Sequence, residues 1–441
     1  MKTLLKGGRV INPATGLDQV MDVLIEDNVI AAMESNILAA RADEVIELKE
    51  TQWVTPGLVD VHVHFRDPGN PDKETTATGA ASALAGGFTT VCVMPNTSPV
   101  IDSTPMVQYI MNAAQPTGIQ IFPIAAVTRG LEGEEMTAIG TLLQNGAVGF
   151  SDDGRPVSSA NMMRKALEYS KMFDVPIVCH AEDCTLCGNG VMHEGYYSTL
   201  LGLPGIPSVA ESVMVARDIE LARFTGGRVH FAHVSSKESV ALIRQAKAEG
   251  LNITAETTPH YLSLTDACCQ GYDPDFKMNG PLRAESDQKA LIDAVMDGTI
   301  DVIATDHAPH TPDEKAMAFD CAPNGVIGLE TSLGVMLTHF YHTKRLQPLD
   351  LIKIMSSRPA EIFKLKASGN LAVGQRADIA VIDPNLEWQV DPAQFKSKSR
   401  NTPFKGQTLK GRAVMTFANG RCLYRLEASP QETALAAGRS F

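Results

Sequence analysis

Basic charge is scarce in this sequence. Its 38 lysines and arginines stand against 51 aspartates and glutamates, a formal charge of −13. Nothing supplies a basic stripe, which argues against a nucleic-acid or acidic-membrane partner. An anionic substrate would have to be held by a local cluster or a metal. Apolar residues never run for the roughly 18 positions that a membrane span needs. The opening MKTLLKGGRVIN lacks the apolar stretch of a secretory signal. The eight cysteines are scattered through a long chain, so reduced thiols in a cytoplasmic protein are expected. Cys184 and Cys187 form a CxxC, but no second pair accompanies them to make a metal or redox site. No glycine-rich phosphate loop follows the first strand of the middle region, so an open doubly wound sheet lacks support.

What the sequence has is length and alternation. It runs to 441 residues with 44% hydrophobic content, enough for a sizeable core and too much for one ordinary domain. The start (LLKGGRVIN, DVLIEDNVIAAM, EVIEL) and the end (ADIAVID, AVMTFANGRCLY) read as short strands punctuated by Gly and Asn. Neither end is long enough to close a good sheet alone. Residues 1–55 and 366–441 are therefore expected to pair into one small β-sandwich. Between them, over 56–365, eight apolar strand segments alternate with helical stretches such as SKESVALIRQAKAEG and SDQKALIDAVMDG. The expected fold class is thus α/β: a closed parallel (β/α)₈ barrel bracketed by a β domain from both termini.

Polar residues fall at the ends of these strands. In such a barrel all C-terminal strand ends share one mouth, where active sites sit. His62, His64, Asn96, Asp153, His180, His233 and Asp306 would converge there. The first strand carries Asp60-Val61-His62-Val63-His64. Alternation puts both histidines on one face, with Val61 and Val63 on the other, under the helices. Two imidazoles about 7 Å apart along a strand can reach one metal ion. A lone strand-end histidine is more often a satisfied polar residue than a ligand. Two more at matching positions, His180 and His233, favour ligation. Four histidines and Asp306 exceed the needs of one tetrahedral zinc and suit a bridged pair of Zn²⁺ ions. Asp153 is the natural bridging carboxylate, and its neighbour Asp152 is the alternative. Two divalent cations against two carboxylates and a hydroxide leave net positive charge, which stabilises an anionic transition state. His230, three residues before His233, is placed on the opposite face with no site role.

Several stretches carry a family resemblance: PGLVDVHVHFRDPG, GGFTTVCVMPNT, GFSDDG, CHAED, AHVSSKES, KMNGPLR, IATDHAPHT, NTPF and GQRADIAVID. Over essentially its full length the chain resembles the amidohydrolase superfamily, and within it the class I bacterial dihydroorotases. Hydantoinases and allantoinases bridge their metals with a carbamylated lysine on the fourth strand; here no lysine occurs between Ala147 and Val157. The resemblance implies that His62, His64, Asp153 and Asp306 hold one metal, and Asp153, His180 and His233 the other. It makes Asp306 the general base and then the general acid. It makes Arg66, Asn96 and His310 the binders of the substrate carboxylate, with further substrate contacts at Asn279 and at the backbone of Asn324 and Gly325. The planar fork of Arg66 suits a carboxylate; its alternative is a surface ion pair with Asp67. The chain departs from the family pattern at Gly280, where a proline is usual, and at Asn324, where an aromatic residue is usual. The segment from Thr311 to Gly325 reads as a polar lid. The implied small-molecule partners are N-carbamoyl-L-aspartate and L-dihydroorotate, interconverted in pyrimidine biosynthesis. A homodimer is the default assembly, and aspartate transcarbamoylase is a further implied partner. Some relatives have lost their ligands and act as non-catalytic scaffolds, but every ligand position is filled here.

Overall fold

All eight apolar segments of the middle region are strands in the structure, a computed structural model describing residues 1–427. Positions 428–441, assigned above to the β domain, lie outside the described residues. The strands are β1 (Leu58–Val63), β2 (Phe88–Val93), β3 (Gln120–Ala125), β4 (Gly149–Ser151), β5 (Ile177–Cys179), β6 (Val229–Phe231), β7 (Ile253–Thr257) and β8 (Val302–Ile303). Each pairs in parallel with the next in chain order. Contacts of β1 with the residues after β8 bring the sheet edges together: Val63 bridges His307, and His64 N donates to His307 O at 2.8 Å. Thr305 N also donates to the buried Asp60 carboxylate.

Crossover helices fall where the apolar periodicity puts them. Lys237–Ala248 starts on Ser236, whose hydroxyl accepts from Ser239 N, and carries Lys247 in its last turn. Glu285–Asp297 stops at Gly298, whose φ of +79° ends the helix without a Cβ penalty. No described helix is long and apolar enough to cross a membrane.

The termini build one continuous eight-stranded sheet. Its order is 421–425, 408–418, 379–389, 53–56, 2–12, 17–26 and 29–34, with 44–47 beside 2–12. The short strand Trp53–Pro56 joins the two chain ends, pairing with Arg9–Val10 on one side and Ile379–Ile382 on the other. Leu5, Val10, Ile25, Val54, Ile379 and Phe417 lie in a core of their own on this sheet. The barrel strands pack against their helices in a larger core.

One expectation about β1 fails. Val63 packs in the larger core, but Val61 lies with Val59, Cys92, Ile124, Val178 and Ala232 in a separate cluster. The pairing of β1 with β2 loses register between Asp60 and Val63. Simple alternation therefore does not carry through the HxH segment.

Candidate metal centre and active site

The polar strand ends meet. Ligand atoms of His62, His64 and Asp153 lie within 4.8 Å of one another, and so do those of Asp153, His180 and His233. Asp153 belongs to both groups. Its Oδ1 is 3.5 Å from His62 Nε2, 3.5 Å from His180 Nδ1 and 3.6 Å from His233 Nε2, and its Oδ2 is 3.5 Å from His64 Nε2. Asp306 Oδ1 sits 3.0 Å from His64 Nε2 and 3.5 Å from His62 Nε2. Burial alone would push both carboxyls up. The imidazoles packed against them, His62 first, outweigh it and hold Asp153 and Asp306 well below the usual carboxylate range, so both are ionised.

The outer nitrogens of three imidazoles are held by acceptors. His62 Nδ1 lies 2.6 Å from Glu256 Oε1, His64 Nδ1 lies 2.9 Å from Asn96 Oδ1, and His180 Nε2 lies 3.1 Å from Glu182 Oε2. A carboxylate or amide oxygen can only accept, so each of these nitrogens carries the proton and the other offers a lone pair to the centre. Those lone pairs face carboxylate oxygens, as at His64 Nε2 and Asp306 Oδ1, or a ring nitrogen, His180 Nδ1 being 2.7 Å from His233 Nε2. His62 Nε2 and Asp153 Oδ1 are buried with no hydrogen-bond partner among the described residues. A cluster of inward-facing acceptors on imidazole and carboxylate fits a divalent cation with N and O ligands. Asp152 is not part of it: its carboxylate accepts from Val127 N, Thr128 N and the Thr128 hydroxyl.

Local backbone explains how the side chains converge. His233 (φ +35°), Asp306 (φ +46°) and Arg66 (φ +58°) are all left-handed. For a non-glycine residue this costs roughly 1–2 kcal/mol, and each lies just past a strand end. The kink at His233 breaks alternation, so His230 is not on the far side as expected. His230 Nε2 lies 3.1 Å from Glu256 Oε2, and Glu256 bridges it to His62.

Residues 51–239 match the Dihydro-orotase-like family and residues 332–424 the Amidohydrolase family. The dihydroorotase of Geobacter sp. (strain M21) is 49% identical over 426 residues, covering 96% of this chain and all of the relative. That of Syntrophotalea carbinolica is 49% identical over 427 residues, covering 97% of this chain and all of the relative. The chain belongs to the dihydroorotase family. Its fold is shared more widely. The L-hydantoinase (dihydropyrimidinase) from Arthrobacter aurescens superposes with a TM-score of 0.86 at 26% identity, covering 96% of each chain. The dihydropyrimidinase from Brevibacillus agri gives 0.83 at 21%, a likeness of fold alone.

The residues that the dihydroorotase resemblance assigns to substrate divide into two sets. Asn96 and Asn279 stand against the metal-site side chains: Asn96 Nδ2 donates to Asp153 Oδ2 at 3.3 Å, and Asn279 Nδ2 to Glu182 Oε2 at 3.0 Å. Arg66, His310, Asn324 and Gly325 form the other set. Arg66 Nε donates to Pro309 O at 3.3 Å, and Asp67 is engaged instead by Thr76 and the Tyr109 hydroxyl, so the surface ion pair is not made. His310 Nε2 donates to Asn324 O at 2.8 Å. Burial, with Arg66 and Lys73 nearby, pushes His310 down to about 3, so it is neutral. Gly325 has a φ of +124°, and a Cβ there would come within 2.6 Å of Ala308 Cβ. The expected lid is anchored: buried Lys315 donates to the carbonyls of Pro323 and Gly325, and Lys277 to those of Asp320 and Ala322.

Three polar groups escaped the sequence reading. Glu256 sits inside β7 rather than at its end. Glu182 lies two residues past His180. His260, beyond β7, is buried with Nε2 unpartnered among the described residues, and burial pushes it down to about 4 against the opposing pull of Asp306. His180 and His233 directly follow apolar runs, whereas His260 follows the polar run Glu256-Thr257-Thr258-Pro259, so the strand-end pattern does not single it out.

Proposed function

We propose that this chain is a metal-dependent dihydroorotase that interconverts L-dihydroorotate and N-carbamoyl-L-aspartate. In the hydrolytic direction water adds to the ring amide carbonyl, the C–N bond breaks, and the nitrogen leaves with a proton as the ureido group. The biosynthetic direction is the reverse.

His62, His64, Asp153 and Asp306 would hold one zinc ion, and Asp153, His180 and His233 a second, with Asp153 common to both. Zinc supplies Lewis acidity there, polarising a carbonyl and easing deprotonation of water. The protein's own part is proton handling and orientation. Asp306 takes the proton from the attacking water at Oδ1 and delivers it to the leaving nitrogen. Glu256, Asn96 and Glu182 fix which nitrogen of His62, His64 and His180 faces inward. Arg66 orients the substrate through its carboxylate, which dihydropyrimidines and hydantoins without that group do not offer. Asn279, Asn324 and Gly325 line the path of the ring.

The observation that carries this reading is the position of Asp153: a carboxylate, not a lysine, stands where the two histidine pairs meet. It does so in a chain nearly half identical to dihydroorotases along its whole length. Purified protein with zinc titrated is expected to turn over both substrates. Turnover of allantoin or hydantoins alone would overturn the assignment.

A further inference from the structure

Beside His310 stands a cation that no assignment above uses. Lys73 lies in the loop after β1, two residues before the Thr75 cap of the helix Thr76–Ala85. Its side chain is only one-fifth exposed. Its backbone is fixed: Lys73 N donates to Asn70 O at 3.0 Å, and the Ser399 hydroxyl donates to Lys73 O at 2.7 Å. The ammonium is 2.7 Å from Glu314 Oε1 and 3.4 Å from His310 Nδ1.

The hydrogen bonds around His310 decide what Lys73 can do. Its Nε2 faces the carbonyl of Asn324, which only accepts, so the ring proton is on Nε2. The ring is neutral, so Nδ1 carries a lone pair and accepts from Lys73. In this arrangement His310 has no N–H left for a carboxylate. Besides Arg66, a donor next to this ring is the ammonium of Lys73, and a carboxylate of the protein, Glu314, already sits on it. We propose that Lys73 is a substrate-binding residue: its ammonium exchanges Glu314 for the carboxylate of the substrate, beside Arg66. His310 positions the ammonium from Nδ1. This inference rests on the dihydroorotase reading of the site.

Two substitutions pull in opposite directions if it is right. Lys73→Met removes the donor. Glu314→Gln removes the internal competitor while keeping a side chain that can cap Thr311 N. Orotate, a planar analogue bearing the same carboxylate, is titrated calorimetrically into the zinc-loaded full chain. Lys73→Met is expected to weaken orotate binding about 10-fold or more, with Lys73→Arg retaining most of it, as loss of one charge-assisted pair implies. Glu314→Gln is expected to tighten binding. In steady-state assays the Lys73→Met loss should fall mainly on KM. Unchanged orotate affinity in Lys73→Met overturns the proposal. So does weakening in Glu314→Gln parallel to that in Lys73→Met, which would make the ion pair a structural latch. Failure of the parent protein to turn over dihydroorotate at all would instead remove the functional reading beneath it.

Discussion

Asp306 and Glu256 are both buried carboxylates beside histidines, yet they face opposite nitrogens of His62. Asp306 faces the centre from beyond β8, with its oxygen 3.0 Å from His64 Nε2. Glu256 stands behind His62 and touches it from the far nitrogen. Asp306→Asn should keep the fold and much of the metal while lowering kcat by roughly 10²–10⁴-fold, the usual worth of a positioned proton carrier. Near-normal turnover would remove it from that role. Glu256→Gln should leave proton transfer in place but weaken metal binding roughly 10–100-fold, as loss of an orienting partner does. Competition with a chromogenic chelator reads this directly; parental affinity would mean that His62 needs no such support. Asp306 was legible in the sequence because it closely follows the apolar run of β8. Glu256 was not, because it sits inside its strand and its partner His62 comes from a strand 194 positions away in the chain. His230 was misplaced for a different reason: a left-handed residue without glycine leaves no mark in the sequence, and the kink at His233 undoes the alternation.

At the level of elements, the loops after the strands need their own scaffolding. The helix Val209–Thr225 supplies Glu211, whose carboxylate accepts from Ser236 N at 3.0 Å and from the hydroxyls of Ser235 and Ser236. Arg283, before the helix Glu285–Asp297, donates to the Ser235 hydroxyl at 2.9 Å and lies 3.6 Å from Glu211. Two crossover segments thereby pin the two residues that follow His233 and Val234. Glu211→Gln leaves a buried guanidinium short of a charged partner, which should reduce stability by roughly 1–3 kcal/mol. Matched thermal unfolding of metal-free parent and variant would show it as a lower Tm. An unchanged Tm would mean that the loop holds itself. None of this network is visible in composition or periodicity, although AHVSSKES does announce a helix start through Ser236. By contrast, the barrel strands were legible because each is a short apolar run closed by a polar residue, a pattern set by burial within the barrel.

On the scale of the molecule, the N-terminal strands pair with the strands 379–389, 408–418 and 421–425 in one sheet. Their pairing through Trp53–Pro56 was foreseeable only as a need, since the order of strands in that sheet depends on contacts between residues hundreds of positions apart. The returning chain also reaches the mouth. Asn401 donates to the carbonyls of Ala308 and Gly325, each at 3.0 Å, and Ser397 and Lys398 N engage buried Glu74 beside His307. Residues from His62 to Asn401 thus meet around the site, with Asp153 at its middle. Metal content of Asp153→Ala against the parent, measured per folded chain after zinc loading and desalting, tests this account most directly. Two zinc ions per parent chain, falling below one in a variant whose circular dichroism is unchanged, is the expected result; a variant that keeps the parent's full complement would contradict it.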